Sequence, residues 1–165
     1  MKSQKSPMGE IKHIIFICTG NTCRSPMAEG IARKLFADYG LSITVDSFGT
    51  LQMGGNPPSP EAISLCLKHD IDISQHKAQQ LTLEAAQKAD LILTMERKHI
   101  YWIEDFFGEH IAQKAQLLTE YLSEKPFGDE IPDPIGEGRM MYEEVFEMLW
   151  KEIERIANIK THLNN

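Results

Sequence analysis

The sequence predicts a single α/β domain: an open parallel sheet of about four strands, helices on both faces, and a phosphate-binding loop after the first strand. Three observations carry this expectation. Short apolar runs alternate with amphipathic helical stretches along the chain, the order of βα units, which sets neighbouring strands parallel. Two of those runs, HIIFI at His13 and ADLILTM at Ala89, are apolar on every residue or nearly so, as strands covered on both faces are. The stretch His13 to Gly30, HIIFICTGNTCRSPMAEG, joins a strand to a helix through a tight polar loop at the sheet's carboxyl end, where such folds bind ligands.

Taken in order, residues 1–10 are polar with a Pro and a Gly, and are expected to form a disordered extension ahead of a domain over residues 11–160. The first strand closes at Cys18. Ser25 is a good N-cap and Pro26 suits a first helical position, so a helix is expected from Pro26 to Tyr39, stopped by Gly40. Its apolar stripe is Met27, Ile31, Leu35 and Phe36. Leu41 to Ser47 alternates Ile43 and Val45 with polar residues, a second strand, and Thr50 to Pro58 is a loop. Ser59 and Pro60 open a second helix running to about His69. A short helix over Thr82 to Lys88 precedes the third strand, Ala89 to Met95. Glu96 to Phe107 is an amphipathic helix presenting Ile100, Ile103 and Phe107, ended by Gly108. Gln116 to Thr119 is a weak fourth strand, followed by a long loop to Gly138. A last helix runs from about Arg139 to Asn158, with Val145, Leu149, Ile153 and Ile156 facing the core.

The chemistry is concentrated in the loop after the first strand. Backbone N–H groups of Thr19, Gly20, Asn21, Thr22, Cys23 and Arg24 can curl around one point, where the dipole of the helix opening near Ser25 adds positive character. That point is an anion site. Cys18 stands at one end of the loop and Arg24 at the other. A helix N-terminus and a guanidinium both favour the thiolate, the nucleophilic form, while the planar guanidinium fork can hold two phosphate oxygens. A phosphoryl group in such a cradle would face the sulfur, which predicts attack by Cys18 and a phosphocysteine intermediate. The plain alternative, a core thiol and a surface arginine, has no need of the Gly, Asn and Ser between and beside them. An ATP-binding loop is excluded, since no Gly-Lys-Ser/Thr ending is present.

The full string CTGNTCRSPMAEG resembles the active-site loop of the low-molecular-weight protein tyrosine phosphatase family. The resemblance implies Cys18 as nucleophile, Arg24 as phosphate and transition-state clamp, and Ser25 as a hydroxyl donor to the sulfur. It makes Asn21 the loop-shaping asparagine, a residue type that tolerates left-handed backbone. The sequence DSFG resembles the family's DSAG, which implies that Ser47 bonds to the loop, and His76 in SQHKAQQ aligns with a histidine supporting Asn21. For Ser47 the plain reading is a strand-end serine; for His76 it is a structural or exposed histidine. The resemblance further implies a reversible disulfide between Cys18 and Cys23 that protects the nucleophile. A small loop residue without redox role stays open for Cys23, and Cys66 reads as core.

Releasing an alcohol or amine from phosphorus needs a proton that the nucleophile cannot supply. The long loop carries Pro132-Asp133-Pro134, where two prolines stiffen the backbone about one carboxylate, as a general acid requires. The resemblance agrees: Asp-Pro in this loop is the family's general acid, which later activates water. Asp129 and Glu130 lie close by without that match. Departures from the tyrosine-directed pattern bear on substrate. Thr22 stands where a branched apolar residue is common, Ile135-Gly136 where an aromatic pair is common, and the loop LQMGGNPP lacks a tryptophan. Flat phenols normally meet aromatic walls. Thr22 and DPIGEG resemble the bacterial protein arginine phosphatase branch, so phosphoarginine is slightly favoured, with phosphotyrosine close behind.

Composition sets the remaining expectations. With 42% hydrophobic and 25% charged residues, the 165-residue chain is ordinary globular material with enough core for one domain. A net charge of -7 argues against nucleic acid as a partner. No apolar run approaches a membrane span, MKSQKSPMGEIK lacks a signal-peptide core, and three cysteines suit a reducing compartment, so a cytoplasmic location is expected. The expected partners are phosphorylated proteins and inorganic phosphate or other oxyanions, with no metal or cofactor. A thioredoxin-linked arsenate reductase has a similar loop but needs two further cysteines, one near the end of the third strand, where Met95-Glu96 stand, and Cys66 is in the wrong place. A non-catalytic phosphate-binding module would need neither Cys18 nor Asp133.

Overall fold

The computed structural model describes residues 11–164, so the extension expected over residues 1–10 lies outside the described residues. Ten elements alternate along the chain: β1 (His13–Cys18), α1 (Arg24–Asp38), β2 (Thr44–Gly49), α2 (Pro60–Leu67), α3 (Leu83–Lys88), β3 (Leu91–Thr94), α4 (Arg97–Phe107), α5 (Glu109–Ala112), β4 (Ala115–Leu117) and α6 (Arg139–Leu163). The four strands form one parallel sheet in the order β2-β1-β3-β4. The chain leaves β1 toward β2 on one side and later builds β3 on the other. The loops after β1 and β3 therefore part at the carboxyl edge, opening a crevice there.

The period of two divides the sheet's residues between two cores. Ile14, Phe16 and Cys18 of β1 pack with Met27, Ile31 and Leu35 of α1, Cys66 of α2, and Val145, Leu149 and Ile153 of α6. Ile15 and Ile17 point to the opposite face, with Ala86 of α3, Ile103 of α4 and Ile111 of α5. Burying each such side chain stabilises by about 1.5–3 kcal/mol, so the central strand, covered on both faces, is the best-anchored segment. Among the described residues, no helix is long and apolar enough to cross a membrane.

The expected strands and helices are present, with shifted ends. β2 extends to Gly49 because Phe48 and Gly49 pair in register with Ile17 and Cys18. β4 begins one residue earlier than expected, where Ala115 pairs with Ile92. α5 was not anticipated: four residues carry too little periodicity to be read. α2 ends at Leu67, two residues short, and α6 continues to Leu163, five residues beyond Asn158. The expected cap at Ser25 is a correction. The helix starts at Arg24, its N-cap is Cys23 with no side-chain cap bond, and Ser25 sits one residue inside with its hydroxyl committed elsewhere. At Ser59 the cap is made, accepting from Ala62 N–H ahead of Pro60.

Gly30 of α1 allows the segment after α2 to lie against the helix. A Cβ there would stand 2.6 Å from Ile71 Cγ2 and 2.9 Å from Ile73 Cγ2, methyls on branched, buried side chains that cannot swing aside. Alanine ordinarily gains about 1 kcal/mol over glycine inside a helix, but overpacking costs about 1–3 kcal/mol. Gly30→Ala is therefore expected to destabilise by about 1 kcal/mol and lower the thermal midpoint by about 2–4 °C. A midpoint that rises would show the 71–73 segment yielding freely.

Candidate active site

Cys18 is the last residue of β1, and the loop it starts closes back on it. Asn21 adopts a left-handed backbone with φ 55°, which turns its N–H onto Cys18 Sγ at 3.3 Å. The Asn21 side chain is fully buried and its orientation is fixed by one partner that can only donate: the backbone N–H of Gln79 meets Oδ1 at 3.0 Å. Nδ2 must then face the other way, donating to Ser25 Oγ at 2.8 Å and Ser47 Oγ at 3.0 Å. Ser25 Oγ receives that bond and has two partners for its own proton, Cys18 Sγ at 2.9 Å and, farther off, Phe48 O at 3.4 Å; a Cys18 thiolate, which can only accept, would take the nearer bond. His76 Nε2 donates to the same Oδ1 at 3.0 Å. One amide thus relays direction from the 76–79 segment to the sulfur.

The loop also needs a glycine across from it. Gly49, paired with Cys18, abuts the loop so closely that a Cβ would lie 2.6 Å from Thr19 O and 3.1 Å from Asn21 N. The 49–51 segment then holds the loop through Thr50 N–H to Cys18 O at 3.1 Å and Leu51 N–H to Thr19 O at 3.0 Å.

Arg24, at the start of α1, is only 2% exposed, and a buried charge requires partners. Nη1 donates to Glu96 Oε2 at 2.6 Å and to Ile131 O at 2.8 Å, while Nη2 faces Asp133 Oδ2 at 3.8 Å. Burial alone would raise the Glu96 carboxyl, yet the hydrogen bond and charge of Arg24 outweigh it and hold Glu96 below its ordinary value. Ile131 is tied down in turn, its N–H bonding Met95 O at 2.9 Å, so the loop bearing Asp133 is moored to the end of β3 and to the guanidinium. Asp133 itself is 44% exposed and accepts from Ile135 N–H at 3.1 Å, a local turn that aims the carboxylate at the crevice. Glu130 is otherwise engaged, its carboxylate accepting Arg97 N–H at the start of α4, while the Asp129 backbone carbonyl accepts from Thr119 Oγ1.

Behind Glu96 lies a buried histidine. His99 Nδ1 accepts the Glu96 N–H at 3.1 Å, closing a capping box at the start of α4, and Nε2 meets Thr19 Oγ1 at 3.0 Å. Burial first, and the Arg24 charge second, push His99 down to about 4, so it is neutral near pH 7.

Of the residues singled out from sequence, Cys18, Asn21, Arg24, Ser25, Ser47, His76 and Asp133 converge here through the contacts above, as does Thr19 through Leu51 N–H and His99. Thr22 is half-buried and its O accepts Ser59 N–H at 2.8 Å. Cys23 is buried and free; burial first, then the charges of Cys18 and Asp133, push its thiol up against the opposing charge of Arg24. Cys66 is fully buried, its thiol pushed up to about 12 by burial, and lies in the core. Sequence reasoning missed Gly49, Gln79, Glu96, His99 and the Ile131 carbonyl. The one signal for the pair in α4 was Glu96 three residues ahead of His99, a capping pattern immediately after a central strand.

Comparison with known proteins bears on this geometry. The family model described as low molecular weight phosphotyrosine protein phosphatase matches residues 13–164. The chain is 35% identical over 144 residues to the low molecular weight protein-tyrosine-phosphatase Wzb of Salmonella typhi, covering 87% of this chain and 91% of that protein. It is 34% identical over 148 residues to a protein-arginine-phosphatase of Bacillus subtilis, covering 86% of this chain and 97% of that one. Among solved structures it resembles the YwlE arginine phosphatase, a cysteine-to-serine mutant with a phosphorylated active site serine, at a TM-score of 0.83 and 31% identity, covering 88% of this chain and 93% of the other. With a matched family model spanning nearly the whole chain and the Cys18 to Ser25 loop built as described, the chain belongs to the low molecular weight phosphotyrosine protein phosphatase family.

Proposed function

We propose that the chain hydrolyses phosphorylated protein side chains through a phosphocysteine intermediate, with phosphoarginine slightly favoured over phosphotyrosine. The observation that carries this reading is the convergence on one crevice of Cys18 Sγ, accepting from Asn21 N–H and Ser25 Oγ, with an Arg24 fork whose second nitrogen faces Asp133. In this mechanism the Cys18 thiolate attacks phosphorus while Arg24 and the loop amides of Thr19 to Arg24 hold the phosphoryl oxygens. Asp133 protonates the departing oxygen or nitrogen. Ser25 then bonds the sulfur as it becomes the leaving group, and Asp133, now a carboxylate, takes a proton from the water that attacks phosphorus. Ser47 and His76 act only through Asn21. The phosphorylated serine of the YwlE mutant supports a phosphoryl acceptor at the cysteine position, and the likeness to both tyrosine and arginine phosphatases supports the substrate class. Thr22 and the exposed Ile135, in place of aromatic walls, favour the guanidinium. Inorganic phosphate or another oxyanion would occupy the same cradle.

The test uses wild type, Cys18→Ser and Asp133→Asn on phosphoarginine and phosphotyrosine peptides and on nitrophenyl phosphate. Cys18→Ser is expected to lose turnover yet keep vanadate binding. Asp133→Asn is expected to lose roughly 10²–10⁴-fold on tyrosine peptides and much less on nitrophenyl phosphate, whose leaving group needs no proton. Substantial turnover by Cys18→Ser would end the covalent route, and wild type ignoring phosphoarginine would return the preference to tyrosine.

We also propose Cys23 as the thiol that resolves an oxidised Cys18. Its raised pKa keeps it protonated while the loop is closed, so disulfide formation is expected to be slow. Peroxide inactivation should be reversed by thiol in wild type and not in Cys23→Ser. Equal recovery of both would leave Cys23 as packing alone.

A further inference from the structure

His99 has no part in the mechanism above, yet it is fully buried against the catalytic loop and both its ring nitrogens are engaged. Its protonation can be worked out from its partners. The Glu96 N–H can only donate, so Nδ1 is the unprotonated nitrogen. A neutral ring then carries its proton on Nε2, which donates to Thr19 Oγ1 at 3.0 Å. The groups around the ring favour neutrality: it lies in the core, with the Arg24 and Lys98 cations opposing a second proton and Glu96 alone favouring one.

The consequence falls on Thr19. Its hydroxyl has two partners among the described residues, His99 Nε2 at 3.0 Å and Arg24 Nη2 at 3.5 Å, and both donate to it. Its acceptor capacity is used and its own proton is left to give. Thr19 is half-buried, directly follows Cys18, and sits beside the Arg24 nitrogen that faces Asp133, so that proton is presented at the mouth of the anion cradle. Resting on the phosphatase reading, we propose that the Thr19 hydroxyl is a side-chain donor to a phosphoryl oxygen, supplementing the loop amides, and that His99 is the positioning residue that fixes its direction. With an unprotonated acceptor at Nε2, the threonine would spend its proton on the ring; the Glu96 N–H forbids that tautomer. The capping box is reciprocal: the ring accepts the Glu96 N–H, and the Glu96 carboxylate that pairs with Arg24 accepts the His99 backbone N–H, so one helix start positions both the Thr19 donor and the partner of Arg24.

The experiment is a double-mutant cycle read by calorimetric binding of inorganic phosphate to the full chain, with nitrophenyl phosphate turnover alongside. Thr19→Val removes the hydroxyl and keeps the shape; His99→Phe keeps the ring and removes both nitrogens. Each is expected to weaken phosphate by about tenfold, the scale of a hydrogen bond to an anion. The double variant is expected to be within about twofold of Thr19→Val, because both changes remove one donor. His99→Gln, which returns an N–H near the Nε2 position, is expected to recover most of the loss where Thr19 is present and none where it is Val. His99→Leu, which also removes both nitrogens, replaces His99→Phe in the cycle if the latter fails to fold. Phosphate affinity unchanged in Thr19→Val overturns the proposal, as do multiplied losses in the double variant, which would make His99 a packing residue acting independently of Thr19. Failure of the phosphatase reading is separately visible, as wild type that binds phosphate without turning over any ester.

Discussion

The site depends on the Asn21 amide. A loop that points successive N–H groups at one spot cannot satisfy itself internally, because its carbonyls face outward and its backbone passes through a left-handed turn. Asn21 resolves this by accepting from the 76–79 segment on one side and donating to α1 and β2 on the other. Three stretches far apart in sequence are thereby joined through a fully buried planar group that has no second orientation. The hydroxyl of Ser25 inherits its direction from that group, and the sulfur of Cys18 inherits its donor from the hydroxyl. Losing the amide would leave several buried polar groups unpaired at once, each costing about 1–3 kcal/mol.

The charges follow a second constraint. An arginine buried to 2% exposure would be ruinous unpaired, and its partners divide the guanidinium between structure and chemistry. One nitrogen is committed to Glu96 and the Ile131 carbonyl; the other faces Thr19 and Asp133 at longer range, where an oxyanion can compete for it. Glu96 is thus the counter-charge that lets the cation exist in the core without filling the cradle.

Much of this was legible in the chain, and the illegible part has a common physical cause. The strand, loop and helix around Cys18 are local: apolar run, glycine, asparagine and cap-type residues stand in the order in which they act. The Ser59-Pro60 helix start and the Asp133 turn between two prolines are local as well. What escaped was set by register. Gly49 matters because it lies opposite Cys18 across two strands, and Gln79 because its N–H arrives beside Asn21. Glu96 and His99 read as an ordinary helix start, and only the adjacency of β1 and β3 turns that cap toward Arg24 and Thr19. Ser25 is the instructive failure. Its residue type is right for a cap, but two tertiary partners outcompete the local one, and Cys23 takes the capping position without making a side-chain bond.

The Ile131 carbonyl on Arg24 has a thermodynamic consequence. It makes anion occupancy and the placement of the acid loop a linked pair of equilibria, since both draw on the same guanidinium. Linkage is reciprocal: whatever free energy an oxyanion contributes to holding residues 131–133 in place, the held loop returns as affinity for the oxyanion. An anion that strengthens the Arg24 bond to Ile131 O would be held more firmly by the tightened loop, and one that draws the guanidinium away would loosen residues 131–133 by the same free energy.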